Sequence, residues 1–334
     1  MEQFGNMKNK LVAVLLMAVV IGFSACNSNQ SGASGVNGND NTKSTVDNRV
    51  APDFNADSAY AFTQRQVDFG PRVPGTTAHA KCADYLVSKL KAYQLETIVQ
   101  HGTVKTFDGK QFDLKNIIGS YNPSATKRIL LTSHWDARPF ADDDSVGRDK
   151  PIDAAIDGAS GVSVALEVAR NLAQAHPEVG VDIVFFDLED YGNESGMNTW
   201  CLGSQYWSQN PHKVGYSAEF GILLDMVGAP GAVFPKESNS VTYASTYVDK
   251  VWNTAASLGY SNYFLNENIS FVGIDDHIPV NKAGIPCIDI IQYDKATRGF
   301  APFHHTHKDN MSLVDRQTLK AVGQTLLEVI TKEK

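Results

Sequence analysis

The stretch RILLTSHWD, residues 128–136, decides the predicted fold, because a short, mostly apolar run leads directly into a histidine and an aspartate. Such a run, without alternation of apolar and polar residues, is typical of a strand buried on both faces of a sheet. The same character predicts further strands at 116–119, 181–186, 220–224 and 285–291.

Segments with helical spacing of apolar residues lie before, between and after these strands. The predicted helices lie at 57–69, 77–93, 162–175, 247–258 and 313–332. Because strands and helices alternate, we predict an α/β fold, a three-layer sandwich in which a mixed, mostly parallel central sheet is flanked by helices.

Length and composition limit the classes of protein that are possible. The chain has 334 residues with 43% hydrophobic content, enough for one large folded domain, which we place at 51–334. The formal net charge is −8 and no basic stripe is present, so nucleic acid is not an expected partner. No long heptad pattern indicates a coiled coil, and we predict a monomer.

Residues 1–25 have the character of a targeting segment. Lys8 and Lys10 precede an apolar run at 11–23, and small residues then precede Cys26. The run is short for a membrane span, so we predict a lipoprotein signal peptide of the bacterial cell envelope. Lipid on Cys26 would anchor the protein to a membrane, facing the periplasm or the cell surface. An uncleaved helical anchor is the alternative.

Residues 26–50 are rich in Ser, Asn, Gly and Thr, which predicts a flexible tether. The other three cysteines, Cys82, Cys201 and Cys287, form no CxxC pair, so a cysteine zinc site is not expected. One disulfide is possible in an oxidising envelope, and its pairing is open.

Polar residues follow the predicted strands, and ligands of such folds gather beyond the carboxyl ends of the strands. Taken singly, each could be a helix cap or a turn residue. Together, carboxylates and imidazoles at one edge repel each other unless a cation or shared protons hold them, and Asp, Glu and His without cysteine suit catalytic zinc. The set comprises His134, Asp136, Asp157, Asp187, Glu189, Asp190, Asp225, Asp275, Asp276, His277, His304, His305 and His307.

Several motifs in this set resemble those of the zinc aminopeptidase superfamily with paired metal sites. They are HWD at 134–136, DGASG at 157–161, FDLED at 186–190 and LDMVG at 224–228. Within that superfamily the chain is closer to the glutaminyl cyclases, through LLDMVGAP at 223–230, DDHIP at 275–279 and HTHKDN at 305–310. The resemblance spans roughly residue 55 to the C-terminus, and DDHIP is its most specific signal.

The resemblance implies cyclisation of the N-terminal glutamine of peptides and proteins to pyroglutamate, with release of ammonia. It also implies one zinc per chain, bound by Asp157, Asp190 and His305. Glu189, beside the ligand Asp190, would be the general acid/base.

Other residues would bind and orient the substrate in this scheme. Asp225 and Asp275 would orient the substrate amine and share protons with Glu189. Trp200 would form a wall of the pocket, and Asp276 and His134 would contribute to substrate binding.

Two departures from the family pattern affect the predicted site. Animal members carry Glu-Glu where this chain has Glu189-Asp190, so the shorter ligand must approach the metal more closely or bind it with a different geometry. His304 stands where a pocket tryptophan would precede the ligand, which changes the predicted aromatic lining.

Two other functions fit the same residues. The first is a two-zinc aminopeptidase, because His134 and Asp225 would hold a second metal in those relatives. The second is a non-catalytic lipoprotein that binds a partner through this fold, since fold alone does not determine function.

Overall fold

The computed structural model describes residues 49–334 of the chain, which belong to a compact unit, Asp47–Lys334. The predicted signal peptide, Cys26 and nearly all of the predicted tether lie outside the described residues. No helix within residues 49–334 has the length and apolar character needed to cross a membrane.

The strands form one large sheet and one small sheet. Along the chain they are β1 Glu96–Lys105, β2 Gln111–Tyr121, β3 Arg128–His134, β4 Gly180–Phe186, β5 Phe220–Asp225, β6 Phe234–Glu237, β7 Phe264–Ile269 and β8 Cys287–Ile291. The six-stranded sheet has the order β1-β2-β4-β3-β5-β8, and β6 pairs with β7 separately. Strands β4, β3, β5 and β8 run parallel to one another, whereas β2 is antiparallel to both β1 and β4.

Helices cover both faces of the large sheet. They are α1 Ala56–Val67, α2 Thr77–Ala92, α3 Ala159–Ala175, α4 Leu202–Gln209, α5 Ser238–Ser257, α6 His277–Lys282 and α7 Arg316–Lys332. Alternate residues of β3 divide between two cores: Ile129 and Leu131 pack with α2, α3, α5 and α7, and Leu130 packs with Trp207 of α4 and Val280 of α6. The predicted three-layer α/β fold is therefore confirmed.

The sequence patterns missed or misplaced several elements, for different physical reasons. β1 has an alternating, partly exposed burial pattern because it lies at the sheet edge, so it lacks the continuous apolar run used to predict strands. The predicted strand at 116–119 is the buried part of the longer β2. Helix α5 begins at Ser238, well before the predicted start at 247, and contains a kink at Ala244. α4 and α6 are short, and α6 carries Pro279 in its first turns, which weakens a helical pattern.

The cysteines answer the open question of a disulfide. Cys82, Cys201 and Cys287 are all buried, and each is a free thiol. The disulfide that composition allowed is therefore not formed among these three residues.

Candidate metal centre and active site

The site lies at the carboxyl ends of the central strands, as the topology predicts. His134 ends β3, Asp225 ends β5, and Glu189 with Asp190 follows β4. Asp157 precedes α3, Asp275 precedes α6, and His305 lies in the loop that leads to α7. The fold thus brings together side chains that are far apart in sequence.

One group of side chains has the geometry of a metal site. His305 Nε2 is 3.1 Å from Asp190 Oδ1 and 3.8 Å from Asp157 Oδ2. Zinc binds such atoms at about 2.0–2.2 Å, so the ligand atoms of one ion lie within about 4.4 Å of each other. Asp190 Oδ2 is buried and has no hydrogen-bond partner among residues 49–334, which leaves it available to an ion. Asp157, Asp190 and His305 therefore fit zinc.

A second group shares Asp157 with the first. His134 Nε2 lies 3.0 Å from Asp157 Oδ1 and 3.2 Å from Asp225 Oδ1. Both distances are ordinary hydrogen bonds, so these polar atoms are paired without an ion. The hydrogen bond with His134 keeps the pKa of Asp157 below its usual value, although burial opposes this. The same residues could also hold a metal, so their geometry alone does not give the number of ions.

Glu189 lies beside both groups but belongs to neither. Its Oε1 accepts a hydrogen bond from the Cys201 thiol at 3.2 Å, and its Oε2 is 4.0 Å from His134 Nδ1. Burial, reinforced by the charges of Asp190 and Asp275, holds the pKa of Glu189 well above its usual value despite the opposing charge of His134. A carboxyl group in this state is a stronger proton acceptor than an exposed glutamate.

Two buried carboxylates fix the turns that carry these side chains. Asp136 accepts hydrogen bonds from the main-chain N–H groups of Glu189 and Asp190, at 3.1 and 3.2 Å. Asp309 likewise accepts from Ile156 and Asp157, at 2.7 and 3.0 Å. Sequence reasoning assigned neither role, although Asp136 and Asp309 both lie inside the quoted HWD and HTHKDN motifs.

The backbone is strained at three positions around the site. Leu188, Met226 and His305 adopt left-handed conformations with φ of 55°, 50° and 51°. Non-glycine residues rarely occupy this region, and those that do cluster at functional sites. Leu188 precedes Glu189 and Met226 follows Asp225, so these conformations change the direction of the chain where β4 and β5 end.

The paired acids before α6 are both buried. Burial, together with the charge of Asp225, raises the pKa of Asp275 to about 7. Burial and the charge of Asp275 also raise the pKa of Asp276 well above its usual value. Asp276 also accepts a hydrogen bond from Ser204 Oγ at 2.5 Å.

A cavity of about 550 Å³ opens over the site. Glu189, Asp225, Asp275 and Trp200 lie in its wall, together with the ligands Asp157, Asp190 and His305. His134 and Asp276 are fully buried behind that wall, so the geometry does not place them against a substrate as the sequence analysis expected.

His304 occupies the position where the family pattern has a tryptophan. Its ring stacks on His305 at a centroid distance of 3.6 Å and on Phe300 at 4.3 Å. The planar lining is thus retained in this chain by an imidazole supported by a phenyl ring.

The buried acids make a prediction for the metal-free protein. Asp275 and Asp309 have pKa values of about 7 in the folded chain, and their ordinary value is 3.8. Between these values the unfolded chain releases protons that the folded chain retains, so the free energy of unfolding should fall as pH rises. Urea unfolding of chelator-treated protein at about pH 5 and about pH 7 measures this change.

Asp275→Asn is the matched variant, because it removes one of the two groups and should reduce the decline. Equal or greater stability of the metal-free wild type at the higher pH would contradict the assignment of these pKa values.

A mixed α/β sheet with carboxylates and imidazoles grouped at its strand ends defines a protein of the zinc aminopeptidase-like class. Residues 116–330 match the model of peptidase family M28. The chain belongs to peptidase family M28.

Three proteins similar to this chain have names that state an activity. The chain is similar in structure to the glutaminyl cyclase of Tannerella forsythia, with 51% identity and a TM-score of 0.83 over 85% of this chain and 100% of that one. It is also similar to a Zn-dependent exopeptidase from Parabacteroides distasonis, with 48% identity, a TM-score of 0.83 and the same coverage. The glutaminyl-peptide cyclotransferase of Bos taurus is 23% identical over 284 residues, 76% of each chain.

Proposed function

We propose that this chain is a glutaminyl cyclase, which converts the N-terminal glutamine of peptides and proteins to pyroglutamate and releases ammonia. The observation that carries the proposal is the free carboxyl group of Glu189. It lies beside the three residues that we propose to bind zinc, outside that group, and keeps 13% of its side chain exposed in the cavity wall. The similarity to the glutaminyl cyclase of Tannerella forsythia, 51% identical over the full length of that chain, supports the same activity.

The reaction forms a bond between the α-amine nitrogen and the side-chain amide carbon, and it breaks the bond from that carbon to the amide nitrogen. When bound, zinc supplies Lewis-acid polarisation of the amide oxygen. Glu189 accepts the proton that the attacking amine loses and donates it to the departing nitrogen, which leaves as ammonia. Its raised pKa suits both transfers.

Asp225 and Asp275 provide the orientation that ring closure needs. Both carboxyl groups lie in the cavity wall near Glu189, where they can accept hydrogen bonds from the substrate amine. Because the nucleophile and electrophile belong to one residue, holding the amine in line with the amide carbon supplies much of the rate. Trp200 closes one side of the cavity and limits the space beside the glutamine side chain.

A single zinc at Asp157, Asp190 and His305 is part of the proposal. The buried Asp190 Oδ2 lacks a partner within the described residues, whereas His134 Nε2 is paired with both Asp157 and Asp225. An ion in the first group would satisfy this unpaired oxygen and replace the 3.1 Å contact between His305 Nε2 and Asp190 Oδ1, whereas an ion in the second group would displace both hydrogen bonds of His134 Nε2.

The second candidate function is a two-zinc aminopeptidase. The group formed by His134, Asp157 and Asp225 favours it, because its geometry is also compatible with a metal. So does the similarity to a protein named as a Zn-dependent exopeptidase.

One experiment separates the two functions and also the non-catalytic alternative. We expect the purified protein to release ammonia from a glutamine-initiated peptide, leaving the peptide lighter by one ammonia in the mass spectrum. A matched peptide that begins with leucine should remain intact, and elemental analysis should give one zinc per chain. Release of free leucine, with two zincs per chain, would show that the protein is an aminopeptidase rather than a glutaminyl cyclase. If neither ammonia nor leucine is released, the non-catalytic binding role remains.

A further inference from the structure

Arg138 is a buried cation in the cavity wall to which the mechanism gives no role. Arg138 is 2% exposed, and its guanidinium makes two contacts with Asp190, one of the proposed metal ligands. Nη1 donates to the main-chain carbonyl of Asp190 at 2.8 Å and lies 3.4 Å from Asp190 Oδ1. Arg138 therefore contacts the carboxylate oxygen of Asp190 that faces His305 Nε2, while Oδ2 has no hydrogen-bond partner among residues 49–334.

Asp142 connects the same guanidinium to a second metal ligand. Arg138 Nε donates to Asp142 Oδ1 at 2.6 Å, and Nη2 donates to Asp142 Oδ2, which makes a two-pronged ion pair. Asp142 Oδ1 is also 3.7 Å from His305 Nδ1. The pair therefore reaches Asp190 at one end and His305 at the other.

The flat face of the guanidinium supports the cavity wall. Arg138 Cζ lies 4.8 Å from the centroid of the Trp200 ring, and that ring stacks near His305 at 6.0 Å. Arg138 Nη1 also approaches the carbonyl of Gly192 at 3.4 Å. A side chain at Gly192 would collide with the Trp200 ring, so the indole packs directly on the Gly192 backbone as well as on Arg138.

We propose that Arg138 and Asp142 act as a positioning pair that sets two zinc ligands and the Trp200 wall in one arrangement. The proposal rests on the proposed zinc site. It explains how the short Asp190 side chain serves where animal relatives carry glutamate, because the guanidinium fixes both its main chain and one carboxylate oxygen. Partners that orient metal ligands in this way commonly affect metal affinity about 10–100-fold.

The chemistry of the contacts requires arginine at this position. A lysine would keep the positive charge, but its ammonium is a single point with no planar face. It could not bind Asp190 and Asp142 together while also stacking on Trp200. Replacing Arg138 with lysine therefore separates the effect of the positive charge from the effect of the planar guanidinium.

Arg138→Lys is the test, with zinc affinity measured by chelator competition. We expect zinc to bind about 10–100-fold more weakly than in the wild type. At saturating zinc, we expect KM for a glutamine-initiated peptide to rise several-fold, because the Trp200 wall loses its support. Arg148→Lys is the matched control: Arg148 lies in the same wall, and its one hydrogen bond, among the residues that the structure describes, is to the Asp144 carbonyl. Its zinc affinity should stay within about twofold of the wild type.

Asp142→Asn provides a milder second variant, because 39% of the Asp142 side chain is exposed and its loss of charge leaves the shape intact. It should weaken zinc binding in the same direction, and the double variant should lose less than the product of the two single effects. If Arg138→Lys fails to fold, the zinc affinity of Asp142→Asn alone tests the proposal. Wild-type zinc affinity in the variants would overturn this inference while leaving the proposed function standing. A wild-type chain that binds no zinc would overturn both.

Discussion

Glu189→Gln is expected to retain zinc and to lose about 10²–10⁴-fold of kcat. The amide has the same shape as the carboxyl group but cannot accept the proton of the attacking amine. The turn should keep its position, because Asp136 binds the main-chain N–H groups of residues 189 and 190 rather than the Glu189 side chain. The measurement is the rate of ammonia release at saturating peptide, together with zinc content.

Glu194→Gln is the control for this variant. Glu194 also lies in the cavity wall, and no hydrogen bond joins it to a metal ligand within residues 49–334. Its kcat should remain within a few-fold of the wild type. A Glu189→Gln enzyme with kcat within about tenfold of the wild type would show that another group transfers the proton.

His305→Ala is expected to lose zinc and activity together. His305 Nε2 is the nitrogen of the ligand group, and alanine leaves Asp157 and Asp190 as a pair of carboxylates without it. Removing a ligand should weaken zinc binding by more than the roughly 100-fold that changes to a ligand's partners produce. Asp190→Ala should behave in the same way. Chelator competition measures both variants.

His307→Ala is the matched histidine control, because His307 is two residues away and its Nδ1 contacts Asp144 at 2.9 Å rather than the ligand group. It should bind zinc as the wild type does. Full zinc occupancy in both His305→Ala and Asp190→Ala would remove this ligand set from consideration.

The sequence predicted the central strands and the residues at their ends for one physical reason. β3, β4, β5 and β8 are buried on both faces, so each is a mostly apolar run without regular alternation of apolar and polar residues. Asp190 follows β4 as that rule expects, whereas Asp157 and His305 lie in loops, and the resemblance to the family motifs implied all three as ligands. The edge strand β1 and the short helices α4 and α6 lack such a run and were missed.

The supporting residues could not be predicted, because their roles depend on tertiary contacts rather than on a local pattern. Asp309 holds the main chain of Asp157 across 152 positions of sequence, and Arg138 reaches Asp190 across 52. The same limit applies to His134 and Asp276. The resemblance assigned both residues to substrate binding, and the fold buries both side chains outside the cavity lining.

The position of the metal tests the account most directly, through an anomalous difference map recorded at the zinc absorption edge from zinc-loaded crystals. We predict one peak, about 2.0–2.2 Å from a carboxylate oxygen of Asp157, a carboxylate oxygen of Asp190 and Nε2 of His305, with Glu189 outside the coordination sphere. A second peak of equal height between His134 and Asp225, or a single peak bound by Glu189, would contradict it.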